Sequence, residues 1–309
     1  MTRRIIAIVN AGAGTASHTH MEEQLTTAFR SAGAQAIRVE VAQSGDELKS
    51  LVRGAISGQP DVIAAGGGDG TLNAVASELL DSNIAFGVLP LGTLNHFAKA
   101  LQLPLALPEA VDTIMHGREF LIDVGEVNGR MFLNNSSLGL YPSLVRHRDR
   151  QQERLGRSKW AAAAWATLAL LRRHSLLHVR LNLAAREIDR RTAGVFIGNN
   201  AYHMSGLRLG QRDRLDGGEL GIYLPHHGGR IGLSMLILRA LCGRLRESMD
   251  FDALLASTLV VETHHRRLPV AVDGEIAWME TPLRYRTRAR SLRVMVPELP
   301  PESTTSKVS

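Results

Sequence analysis

The sequence predicts an α/β N-terminal domain built on a parallel sheet, joined to a C-terminal domain that is mainly an antiparallel β-sandwich. Three observations carry that reading. Residues 1–122 alternate short β-rich runs with helical patterns, as βαβ units do when helices cover both faces of an apolar sheet. From Asp123 the texture changes to short alternating runs, some separated by hairpin-type turns such as "VNGR". The length of 309 residues suits two domains of ordinary size. The expected division is 1–122 and 123–289, with a strand near 290–297 that can return to the first domain and a disordered tail over 299–309.

The elements follow in order. "RIIAIVN" is too short for a secretory apolar region and reads as a first strand. A helix follows from about His20 to Ala32, then the strand "QAIRVEVA", then a helix from Asp46 to Ser57. Ser44 and Glu47 have the spacing of a capping box at that second helix start. Next come the strand "DVIAA", a glycine loop, a helix through "TLNAVASELL", the strand "IAFGVLP", and a second loop and helix in "LGTLNHFAKAL". The second domain is built from runs such as "DVGEVNGRMFLNN", "TAGVFIGNN", "LGIYLP" and "LVVETHHRRLPVAVDGE", with helical segments at 158–173 and 230–246.

Composition excludes several classes. With 44% hydrophobic and 21% charged residues the chain has a packed core and is not a disordered polymer. The lone cysteine, Cys242, reads as a small core residue, excludes an internal disulfide framework and a cysteine zinc site, and fits a reducing, cytoplasmic setting. No apolar run approaches the ~20 residues of a membrane span. The charge of +6 favours anionic partners, yet no nucleic-acid recognition motif accompanies it, so nucleic acid is not an expected partner.

The chemistry concentrates in "GGGDGT", Gly66 to Thr71, which leaves a parallel strand and enters a helix. Glycines there let backbone N–H groups converge on a ligand with no Cβ in the way, and the helix N-terminus adds to the attraction for phosphate. The spacing fits neither a Walker A loop nor G-x-G-x-x-G. Asp69 is out of place in an anion site unless it orients a metal, a water or a sugar hydroxyl. Gly92 and Thr93 open another helix after the next strand, and two such loops on adjacent strand ends make a nucleotide cleft.

"GGGDGT" at 66–71, "PLGTLNHFA" at 90–98, "DVGEVNGRMFLNNSSLGLY" at 123–141, "FIGNN" at 196–200 and "VDGE" at 272–275 together resemble the diacylglycerol kinase catalytic domain family, which includes bacterial lipid kinases and sphingosine kinases and is related to NAD kinases. The resemblance implies ATP-dependent phosphorylation of a lipid hydroxyl, with ATP and Mg²⁺ as cofactors. It implies nucleotide contacts at Asn10, Gly66, Gly67, Gly68, Asp69, Gly70, Thr71, Leu72, Thr93 and Asn95. It puts the general base at Asp273 or Glu275, which fits the need of a lipid hydroxyl for a carboxylate to take its proton. By itself Asp273-Gly274 is also a favoured hairpin dipeptide.

Departures from the family pattern surround the nucleotide: Ala74 for glutamate, Leu94 for glycine, His96 for aspartate and Ala42 for threonine. "RLDGGELGIYL" resembles the family's metal loop, but Gly217 stands where a second aspartate is usual, which leaves a magnesium site to Asp216 with the Leu215 and Glu219 carbonyls. A kinase of a soluble acceptor such as NAD, and a nucleotide-binding regulator without catalysis, stay open as alternatives.

The segment with Trp160 and Trp165 reads either as a core helix or as one lying in a membrane interface, which would suit a cytoplasmic enzyme acting peripherally on the inner face of a membrane. The pairs His226-His227 and His264-His265 lack a third ligand at suitable spacing and read as surface turns.

Overall fold

The computed structural model describes residues 3–11, 18–139, 176–184, 186–203, 210–226 and 251–298. The expected helices at 158–173, with its tryptophans, and at 230–246, with Cys242, and the tail over 299–309 lie outside the described residues. The chain divides into two compact units. Unit 1 holds residues 1–122 and 291–309, and unit 2 holds residues 123–290.

Unit 1 runs β1 (Ile5–Asn10), α1 (His18–Ser31), β2 (Ile37–Ala42), α2 (Gly45–Ser57), β3 (Val62–Gly66), α3 (Asp69–Leu79), β4 (Ala85–Leu89), α4 (His96–Ala100) and α5 (Leu107–His116). Its strands are parallel in the order β2-β1-β3-β4. The register pairs Val9 with Gly66 and Gly66 with Leu89, so the three strands end level and their outgoing loops share one edge. Phe29, Val62, Ala64, Leu89 and Ile114 are among the residues of the core beneath.

The capping box at α2 forms one residue out of its usual reciprocity. Ser44 Oγ accepts from Glu47 N at 3.2 Å, and the Glu47 carboxylate accepts from Gln43 N at 2.7 Å instead of from the cap residue. The helix N-terminus is satisfied in either case, which is worth about 1 kcal/mol.

β5 (Arg118–Val127) starts in unit 1 and ends in unit 2. Unit 2 continues with β6 (Arg130–Phe132), β7 (Asn135–Gly139), β8 (Leu177–Leu183), β9 (Arg186–Thr192), β10 (Gly194–Asn199), β11 (Leu220–Pro225), β12 (Phe251–Ala256), β13 (Thr258–Thr263), β14 (Arg267–Val272), β15 (Glu275–Glu280) and the first part of β16 (Leu283–Val296). One sheet is antiparallel in the order β12-β11-β10-β7-β14-β15. In the other, β13 lies between β16 and β8, and β8 pairs with β9. Inward residues of both sheets, Leu138, Ile197, Ile222 and Val270 from one and Val179, Leu181, Val261 and Leu283 from the other, form one core, the sandwich that the alternating runs predict.

From its register β16 passes on to unit 1, where Val294 pairs in parallel with Phe86 of β4 and Met295 joins the core. Arg290, at the passage, takes a left-handed conformation with φ 49.

Candidate active site

In unit 1 the glycine loop is shaped by close approach. A Cβ on Gly67 would lie 2.6 Å from both Cβ and Oγ1 of Thr71, so no larger residue fits without displacing Thr71. Gly68 is the N-cap of α3 in extended conformation, and no side chain among the described residues caps that helix. The first α-helical bond runs from Leu72 N to Gly68 O at 3.0 Å. The amides of Asp69, Gly70 and Thr71 therefore belong to the first helical turn, where the helix supplies no acceptor. An anion over this turn meets backbone donors and the positive end of the helix dipole.

Asp69 has a structural task that the sequence does not signal. Its carboxylate accepts from His96 N at 3.2 Å and from Phe97 N at 3.0 Å, so it caps α4 from across the loop. The physical reason lies in Asn95. As the N-cap residue of α4 it sits in the left-handed region at φ 50 with no capping bond of its own, and the task passes to Asp69. The two loops also touch directly, since a Cβ on Gly92 would lie 2.5 Å from Gly68 Cα.

The remaining nucleotide candidates take distinct places. The Asn95 amide donates to Pro90 O at 3.1 Å and Gly92 O at 2.9 Å, holding the second loop, while its Oδ1 is buried with no partner among the described residues. Asn10 at the end of β1 donates to Thr71 Oγ1 at 3.3 Å. Thr93 is exposed, and Gly66 is buried against Val9 and Leu91. Leu72 is a core side chain and its N–H is engaged in the helix, so it has no group to offer a ligand.

In unit 2, Asp273 and Gly274 form the two-residue turn between β14 and β15, with φ 47 and 86, as the Asp-Gly pair predicts. The Asp273 carboxylate accepts from Leu133 N at 2.7 Å and from Asn134 N and Asn135 N, each at 2.9 Å. The same short segment is held through its carbonyls. Leu133 O accepts from Arg212 and Asn199, and Asn134 O accepts from the Tyr202 hydroxyl. Arg212 also lies over the Tyr202 ring, 5.2 Å from its centroid. Burial pushes the Tyr202 hydroxyl above its ordinary pKa, with the nearby Asp273 charge acting in the same direction and Arg212 against it. Glu275, two residues from Asp273, has a side chain 63% exposed and bonded to Arg130 Nη2 at 2.5 Å.

The sequence assigns no role to Asp123, which is completely buried. Its carboxylate accepts from Gly218 N at 2.6 Å and Arg290 N at 2.8 Å, while its own N–H donates to Leu215 O at 2.7 Å. Its partners lie 95 and 167 residues away, so no local pattern could signal it.

The metal candidates are otherwise engaged. Leu215 O accepts from Asp123, Glu219 O accepts from Asn200 N at 3.1 Å, and the Asp216 carboxylate lies 3.2 Å from Arg214 and 3.6 Å from Arg290. A carboxylate between two guanidinium groups does not fit a divalent cation. The Gly217 departure has a steric reason, because a Cβ there would lie 2.7 Å from Asn200 Oδ1. Among the described residues no group of three His, Cys, Asp or Glu side chains is placed to hold a metal.

Residues 4–127 match the family described as the diacylglycerol kinase catalytic domain. The diacylglycerol kinase of Staphylococcus carnosus is 30% identical over 141 residues, 45% of this chain and 46% of that protein. The diacylglycerol kinase of Bacillus subtilis is 36% identical over 125 residues, 40% of this chain and 41% of that protein. Both alignments span less than half the length of these kinases. A crystal structure from Bacillus anthracis whose description names a diacylglycerol kinase superposes with a TM-score of 0.75 at 20% identity, over 95% of this chain and 97% of that one. That likeness establishes the fold: an α/β domain with a mostly parallel sheet and an antiparallel domain, as the diacylglycerol kinase resemblance implies. No helix among the described residues is long and apolar enough to cross a membrane.

Proposed function

We propose that the protein is an ATP-dependent lipid kinase that acts peripherally on the cytoplasmic face of a membrane. The observation that carries this reading is the N-terminus of α3, uncapped among the described residues, beside a loop whose Gly67 leaves no room for a side chain, with its one carboxylate turned away to cap α4. The match of residues 4–127 to the diacylglycerol kinase catalytic domain supports it.

ATP, when bound, supplies the γ-phosphoryl group, whose bond to the leaving ADP breaks as a bond to the acceptor oxygen forms. The amides of Asp69, Gly70 and Thr71 bind phosphate oxygens. Asn10 and Thr71 brace the loop from behind, and Asp69 fixes the second loop, which brings Thr93 to the rim. Phosphoryl transfer depends mainly on such positioning and on charge neutralisation. The hydroxyl proton goes to a carboxylate of unit 2. We assign that task to Glu275, which is exposed and has one side-chain bond, and give Asp273, whose two oxygens are directed at three backbone amides, a positioning role. No step is assigned to a cation at residues 215–219, where the donors do not fit one.

The test is incubation with γ-labelled ATP and Mg²⁺ against detergent-dispersed diacylglycerol, phosphatidylglycerol, ceramide and a long-chain base, with NAD as a soluble acceptor. Label in one lipid, lost in Glu275→Gln while thermal stability and ATP binding persist, is the expected result. Label in NAD alone overturns the lipid reading. ATP binding without transfer to any acceptor overturns catalysis and leaves a nucleotide-binding regulator, a reading favoured by the engagement of both Asp273 and Glu275 with protein partners.

A further inference from the structure

Six large apolar side chains are more than a third exposed among the described residues, and three of them are in unit 1: Leu94 at 58%, Leu105 at 46% and Leu121 at 38%. Single exposed leucines need no explanation. The first two, however, flank the same short helix. α4 (His96–Ala100) lies between them, and a helix of five residues is only about 7.5 Å long. Leu94 immediately precedes its N-cap, and Leu105 follows the turn by which Leu103 N returns to Ala98 O at 2.9 Å.

The helix itself is divided by charge. Phe97, Ala98 and the C-cap Leu101 are buried, whereas His96 and Lys99, three residues apart and so on one face, are exposed. Neither His96 nor Lys99 makes a side-chain ion pair among the described residues. The segment has hidden leucines as well as exposed ones, since Leu101 and Leu103 are 6% and 7% exposed. The outward set therefore combines two leucines with the positive charge of Lys99 and the imidazole of His96, adjoining the glycine loop through the Asp69 bonds to His96 N and Phe97 N.

We infer that the rim formed by Leu94, His96, Lys99 and Leu105 docks on the surface of an anionic lipid bilayer. The leucines enter the boundary between headgroups and acyl chains, and the Lys99 ammonium stays among the lipid phosphates with the His96 ring as a polar neighbour, the arrangement that holds interfacial segments. The inference rests on the lipid-kinase reading and deepens it: docking through this rim holds the phosphate loop against the layer in which the acceptor hydroxyl lies.

The experiment is co-sedimentation of the full chain with vesicles of mixed phosphatidylglycerol and phosphatidylcholine, and with phosphatidylcholine vesicles, together with ATP binding and phosphorylation of detergent-dispersed lipid. Lys99→Gln is expected to lower partitioning to the anionic vesicles about fivefold, and Leu105→Gln roughly tenfold. Neither side chain has a hydrogen bond or ion pair to residues 66–71, so both variants are expected to keep ATP binding and activity on detergent-dispersed lipid. Binding by both variants equal to that of the unaltered chain overturns the inference. So does a chain that ignores vesicles yet phosphorylates dispersed lipid, and so does a rim captured by acidic polypeptides in preference to vesicles. Vesicle binding that depends on the rim, with no phosphorylation of any lipid, upholds docking and overturns the kinase reading instead.

Discussion

Asp69 in unit 1 and Asp273 in unit 2 both bind backbone N–H groups, two in the first case and three in the second. Their surroundings differ. Beside Asp69, the first turn of α3 keeps amides that no side chain among the described residues caps, and Gly67 of the loop has no room for a side chain. Around Asp273, the segment from Leu133 to Asn135 has its amides bound by the carboxylate and two of its carbonyls bound by Arg212, Asn199 and Tyr202. One aspartate leaves binding capacity uncovered, whereas the other uses it up. A site for a ligand and a rigid frame can thus be built from the same kind of bond.

Breaking the frame should have the largest effect. Asp273→Ala leaves three amides without their acceptor and puts alanine in a left-handed turn, and is expected to cost unit 2 about 3 kcal/mol. Thermal or urea unfolding that follows unit 2 will read this, and a loss under 1 kcal/mol would contradict the role of the carboxylate. Gly92→Ala sharpens the other side of the comparison. Its Cβ meets the Gly68 backbone at 2.5 Å, so the loops must part, at a cost of roughly 1–3 kcal/mol. That should weaken ATP binding by about tenfold or more in a calorimetric titration, with unit 2 unaffected. Asp69→Asn keeps the side-chain shape but replaces one acceptor oxygen by a donor, and should reduce stability by about 1 kcal/mol. Unchanged loop protection in hydrogen exchange at His96 and Phe97 would count against the cap.

The smallest effect concerns pH. Tyr285 is buried against Ser136, its hydroxyl 3.1 Å from Ser136 Oγ, and burial raises its pKa far above the ordinary tyrosine value, with the serine bond acting slightly against. A raised native pKa gives stability that is fully present below about pH 10 and is lost as pH rises beyond it toward the native value. The unaltered chain should lose stability above that pH, and Tyr285→Phe should lose less. Equal slopes in the two proteins would refute the assignment.

Much of this was legible in the residues. The βα alternation, the Ser44 and Glu47 spacing, the Asp-Gly turn and the glycine loop are local patterns, and the fold renders each of them close to where it was read. The capping task of Asp69 is not legible because its partners, His96 and Phe97, lie in the next loop, and a backbone amide has no letter in a sequence. Leu72 sits within a loop motif but faces the core, a matter of helical phase at a boundary. The magnesium expectation at Leu215, Asp216 and Glu219 follows from the resemblance of that segment to a metal loop, which carries no information on the Arg214 and Arg290 guanidinium groups beside Asp216. Asp123 stayed invisible because both of its acceptor bonds are long-range.

The last strand has a consequence for how the chain comes into being. Unit 1 opens at the first residues, yet it receives Val294 and Met295 only after the whole of unit 2 has intervened. A ribosome delivers the chain from the N-terminus, and domains tend to fold as they emerge. Unit 2 can complete its sandwich during synthesis, while the β4 edge of unit 1 must wait, unpaired, for the final stretch. The phosphate loop is thus encoded early and its supporting sheet finished late, so a truncated product lacking residues 291–298 should retain a folded unit 2 beside an unfinished binding domain.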